Sequence, residues 1–127
     1  MRYGLVLLIL WTLFLLGVLF LPIPSRVTPS IEGFRYMDKV AHFGLFGITG
    51  VVGVFGASFL RRFKTRMLFV IVLGIFLAAA TELVQSLIPY RSMDVYDFLA
   101  DVLGLGIALA FLAILHRIHF FVRFLGP

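Results

Sequence analysis

Four apolar stretches, each close to twenty residues long, constrain the fold of this chain more than any other feature in it. A hydrocarbon core about 30 Å thick takes roughly 20 helical residues to cross. The first stretch runs from Tyr3 to Leu21 and stops at Pro22-Ile23-Pro24. The second runs from Lys39 to Leu60, the third from Met67 to Ile88 ahead of Pro89, and the last starts near Asp94 and fades between His116 and Val122. Composition agrees, with 62% of the 127 residues hydrophobic and 13% charged, where a soluble domain carries about 25% charged residues. A soluble fold of this length has too much surface for its volume to hide so much apolar area. The expectation is an all-α integral membrane bundle of four transmembrane helices at about 3–21, 39–60, 67–88 and 94–118, forming one domain over residues 1–127.

The first stretch is longer than the roughly 7–15 apolar residues of a signal peptide, and no small-x-small cleavage site follows it. It reads as a retained helix. The absence of cysteine excludes disulfides and thiolate metal sites.

Basic residues set the expected orientation. The loop Arg61-Arg62-Phe63-Lys64-Thr65-Arg66, together with Arg2, Arg117 and Arg123, puts seven cations and no acid on one face of a four-span protein. The other face has Arg26, Arg35, Lys39 and Arg91 against Glu32, Asp38, Glu82, Asp94, Asp97 and Asp101. The positive-inside rule then places both termini in the cytoplasm and every acidic residue at the outer face of a cell membrane. The net charge of +5 reads as anchoring to anionic lipid rather than nucleic-acid binding.

The acidic face carries the chemistry. Asp38 and His42 stand four apart at the start of the second helix and share a side of it. A carboxylate at position 38 suits a helix N-terminus, whereas an imidazole deeper in the span is harder to explain as a cap. Glu82, seven residues before Pro89, is expected about 10 Å below the outer helix end. An ionisable group inside a span costs about 2.5–3.5 kcal/mol on insertion scales, so it normally has a partner and a role. Asp94, Asp97 and Asp101 stand at i, i+3 and i+7, one stripe of a helix. Asp94 or Ser92 suits the N-cap and Asp97 the first turn, while Asp101 falls near the depth expected for Glu82. The glycines at 44, 47, 50, 53 and 56 recur every third residue, a row that drifts around the helix and permits close helix packing.

Asp38-Lys39-x-x-His42-Phe43, then Glu82-x-x-Gln85, then Arg91-Ser92-x-Asp94-x-x-Asp97-x-x-x-Asp101-x-x-Gly104 resemble the signature of VanZ-like membrane proteins, over Asp38 to Gly104. That family often has asparagine where this chain has Asp101. Its namesake is associated with low-level resistance to the glycopeptide teicoplanin, so the resemblance implies an envelope protein without supplying a reaction.

Three functions fit these residues. In the first, an outer-face site binds or acts on a cell-envelope precursor or an anionic lipid head group. His42, Glu82, Asp97 and Asp101 are then the candidate acid and base groups. Asp38, Lys39, Gln85, Arg91 and Asp94 are the candidate binding residues, with Arg35 also available to an anionic group. Whether such a site turns over or only binds is left open by the residues. The spacing of Glu82, Asp97, Asp101 and His42 matches no established metal motif, and no metal or other cofactor is expected. The second function is a small proton-coupled transporter, against which the apolar inner halves of the spans argue. The third is a structural membrane protein that uses the polar layer for helix registry. His116 and His119 stand at i, i+3 in a tail of mixed cations and aromatics, which reads as snorkelling at the interface.

Overall fold

The computed structural model describes residues 2–21, 31–89 and 93–125, with side chains described for 3–21, 36–89 and 93–119. Its elements in order are α1 (Arg2–Phe20), α2 (Ile31–Gly56), a 3-10 turn (Ala57–Phe59), α3 (Phe63–Gln85) and α4 (Val95–Leu125). Each helix is long and apolar enough to cross a membrane, over Tyr3–Phe20, Tyr36–Phe59, Phe63–Gln85 and Val95–His119. Large apolar side chains such as Leu13, Phe76, Leu83, Leu103 and Phe111 lie on the outside of the bundle, as expected where lipid is the solvent.

The helix bounds differ from the expected ones for physical reasons. α2 begins at Ile31 rather than Lys39, because hydropathy marks where lipid starts and not where the helical hydrogen bonds start. α3 begins at Phe63, so Lys64, Thr65 and Arg66 are helical. Arg66 reaches back to the connection, its Nε–H donating to the Leu60 carbonyl at 2.6 Å. At its other end α3 stops at Gln85 instead of Ile88. Pro89 disfavours the helical region for the residue before it, and Ser86–Pro89 becomes a turn. Glu82 therefore lies in the last turn of α3, about 4.5 Å from its end rather than about 10 Å.

α2 is the organising helix and packs most extensively on α4. The two run parallel, since contacts advance together along both. Gly47 lies against Gly104, and Gly50 lies against Leu105 and Ala108. The drift of the glycine row spreads its members over three neighbouring helices, with Gly44 left open. Gly47 and Gly50 meet α4, a Cβ on Gly53 would strike Val70 of α3, and one on Gly56 would strike Leu8 of α1. Close backbone approach without a Cβ is how small residues bring membrane helices together. A core of Leu15, Leu19, Phe46, Val54, Val70, Leu77, Leu105 and Leu109 fills the space between the four helices. A polar link crosses it from the Trp11 indole N–H to the Thr49 hydroxyl at 2.9 Å.

Candidate functional site

At the end of the bundle where α2 and α4 begin and α3 finishes, the described acidic side chains converge with Lys39 and His42. The register comes from two parallel helices. Lys39 and His42, three apart on α2, face the Asp94, Asp97 and Asp101 stripe at the start of α4. Lys39 Nζ donates to Asp94 Oδ2 at 2.7 Å and to Asp97 Oδ1 at 2.8 Å. One turn deeper, His42 Nδ1 lies 2.9 Å from Asp101 Oδ1. Burial grades along the stripe. The Lys39 and Asp94 side chains keep 29% and 24% of their surface exposed, and Asp97 keeps 7%. His42 and Asp101 are closed off at 1% and 0%.

Glu82 enters from α3 and is buried. Its Oε2 accepts the Asp94 backbone N–H at 3.0 Å, which ties the end of α3 to the start of α4. Asp94 also caps α4, its Oδ1 accepting the Tyr96 N–H at 2.9 Å. A helix start leaves such N–H groups without intrahelical partners, and an aspartate at the N-cap satisfies one of them. The capping role and the contact with Lys39 thus use different oxygens of one carboxylate.

His42, Glu82 and Asp101 form a compact triad, one ligand-type atom from each lying within 4.8 Å of those of the other two. Asp38, His42 and Asp97 form a second group by the same measure. Gln85, read from the sequence as a binding residue, is buried, and its side-chain amide donates to the Leu19 carbonyl at 3.2 Å. That carbonyl belongs to the last turn of α1, whose terminal carbonyls need partners outside the helix. Gln85 therefore ties α1 to the site's own helix. Arg91 lies outside the described residues, as does the side chain of Arg35.

Among the described residues, the layer holds the carboxylates of Asp38, Glu82, Asp94, Asp97 and Asp101 against Lys39 and His42. Two carboxylates at close range and low dielectric repel strongly unless a proton or cation sits with them. Deeper in the bundle the buried polar groups are Thr49 and Thr81, whose hydroxyls donate to their own helices at Leu45 and Leu77. The ionisable layer is one-sided.

Fold and site together define a polytopic membrane protein with a buried ionisable layer at one end of its helix bundle. The chain belongs to the VanZ/LLP1 family, which it matches over residues 5–116. It is also similar to the uncharacterized protein C11E3.10 of Schizosaccharomyces pombe, at 32% identity over 80 residues covering 63% of this chain and 49% of that one. The chain therefore spans about half the length of this curated relative. No solved structure matches it.

Proposed function

We propose that the layer is an outer-face site that binds or acts on the anionic head group of a membrane lipid or a lipid-borne envelope precursor. The observation that carries this reading is the one-sided placement of the layer directly above a lipid-facing groove. That groove, of about 430 Å³, is lined by Phe43, Gly44, Gly47, Gly104, Ala108 and Phe111 among others. Phe43 directly follows His42, and Gly104 stands three residues past Asp101, so an apolar chain in the groove would bring its head group to the polar layer. Of the three glycines in the lining, Gly44 has open space within 4 Å of where a side chain would stand and leaves room for such a chain, while Gly47 and Gly104 bring α2 and α4 together at its floor.

The charge split between the two faces of the bundle supports an outer location. Lys39 at the half-exposed rim is the entry-side cation. His42, Glu82, Asp97 and Asp101 behind it are the groups able to accept or donate a proton. A transporter of protons needs polar groups along its whole path, and among the described residues the buried core below Asp101 holds the Thr49 hydroxyl and no ionisable side chain. Tolerance of envelope drugs, teicoplanin among them, follows in this reading from altered handling of such a lipid.

The test is head-group retention. The full chain in nanodiscs of mixed phosphatidate and phosphatidylcholine, released into native mass spectrometry, is expected to keep phosphatidate preferentially. Lys39→Met is expected to lose the preference. Equal retention of both lipids by the wild-type protein refutes the reading.

A further inference from the structure

His42, Glu82 and Asp101 share a pattern that hydrogen bonding within the bundle leaves unexplained. Each is almost wholly buried, with 1%, 2% and 0% of its surface exposed. Each is anchored through one polar atom: His42 Nδ1 and Asp101 Oδ1 on each other, and Glu82 Oε2 on the Asp94 N–H. The other polar atom of each, His42 Nε2, Asp101 Oδ2 and Glu82 Oε1, is buried and has no hydrogen-bond partner. A buried polar atom left unsatisfied is costly, and here three occur on residues that each bring a ligand-type atom within 4.8 Å of the others.

A proton shared between the two carboxyl groups would still leave His42 Nε2 without a partner. One orphaned atom on each of three anchored side chains is instead how a metal site is built, with one atom of each ligand fixed by its surroundings and the other turned to the ion.

The geometry points to a divalent-cation site formed by His42, Glu82 and Asp101. One imidazole and two carboxylates are the mixed nitrogen and oxygen donor set that suits Zn²⁺ or Mn²⁺ better than the all-oxygen set of Mg²⁺ or Ca²⁺. Ligand atoms each about 2.1 Å from a common ion lie about 3.0–3.5 Å apart. The triad's atoms lie within 4.8 Å of one another, so closing on an ion takes side-chain rotation and leaves the helices in place. Two positive charges would also offset the carboxylate excess of the layer. The neighbouring group of Asp38, His42 and Asp97 is the weaker candidate, because Lys39 already donates to Asp97 and Asp38 is only half-buried. The inference stands on this geometry and holds whatever head group the site takes.

The test reads the metal alone. The full-length protein is purified in detergent, stripped with chelator, and titrated with Zn²⁺ and with Mn²⁺. Bound metal is counted by mass spectrometry, and the coordination shell is read by X-ray absorption. The expected result is one ion per chain with one imidazole and several oxygen ligands. Affinity is expected to fall by at least about 100-fold in Glu82→Gln and in Asp101→Asn, each checked for helix content and monodispersity. The double variant His116→Ala, His119→Ala should bind as the wild type does, since any tail-bound metal is adventitious. No stoichiometric ion in the wild-type protein overturns the inference without touching the lipid-binding test. An oxygen-only shell, or loss of the ion in the tail variant, overturns it as well. Loss in Asp38→Asn with retention in Glu82→Gln would move the ion to the other group and equally refute the assignment.

Discussion

Gly104→Ala is the smallest change that should displace the site. A Cβ at position 104 would overlap the Phe43 carbonyl oxygen and approach Phe43 Cα to 3.1 Å. The obstacle is backbone rather than the end of a flexible side chain, so α2 and α4 must separate. Overpacking of this kind costs about 1–3 kcal/mol and sometimes more, and a clash with main chain belongs at the upper end. Against it, alanine in place of glycine in a helix interior gains about 0.5–1 kcal/mol. The net expectation is a loss of about 2 kcal/mol. Phe43 adjoins His42, so the separation should also pull His42 from Asp101 and Lys39 from Asp97. Gly106→Ala is the control on the same helix, since a Cβ there meets nothing within 4 Å; it should be neutral or slightly stabilising. The assay is reversible unfolding of both variants in bicelles, paired with hydrogen exchange at the Asp97 and Phe98 amides. Equal stability of Gly104→Ala and Gly106→Ala would refute the close parallel packing of α2 on α4.

Gln85→Leu should strand the Leu19 carbonyl at a cost of about 1–3 kcal/mol and raise hydrogen exchange at the end of α1, with little effect at the start of α4. Trp11→Phe removes the indole donor to Thr49 and should cost only about 0.6 kcal/mol, the average for hydrogen bonds between membrane helices; bicelle unfolding measures both. For orientation, single cysteines at Thr28 and Ser92 should react with an impermeant thiol reagent in intact cells, and one at Thr65 should not. Labelling at Thr65 with protection at Thr28 would put the polar layer on the cytoplasmic side.

Much of this architecture is legible in the sequence because lipid imposes long apolar runs, and the i, i+3, i+7 spacing of Asp94, Asp97 and Asp101 fixes a single helix face. The glycine row is legible as packing, although its division among three neighbouring helices depends on which helix lies where. The ends of α2 and α3 are not legible, since hydropathy reports the lipid boundary while backbone hydrogen bonds and Pro89 decide where the helices stop. Spacing on one helix singles out Asp38 with His42. Both reach α4, with ligand-type atoms within 4.8 Å of one on Asp97, whereas the pairing of Lys39 with Asp94 and Asp97 depends on rotation about the α2 axis. The bond from Gln85 to Leu19 was hidden because its acceptor is a main-chain atom, and its one trace in the sequence is the breaker at Pro22. Nor does spacing disclose the orphaned atoms of the triad, which arise from three helices.

The central claim is that the buried carboxylates perform a function beyond holding helices in register. It is tested most directly by complementing a deletion strain with Glu82→Gln and with Asp101→Asn, scoring envelope-drug susceptibility, teicoplanin included, beside membrane abundance. The amides preserve shape and hydrogen-bonding capacity but can carry neither charge nor an exchangeable acid proton. Glu82→Gln is expected to abolish complementation at normal abundance. Asp101→Asn should weaken it less, since its amide oxygen can still pair with His42 Nδ1. Full complementation by both variants at normal abundance would contradict the account and leave the layer as helix registry alone.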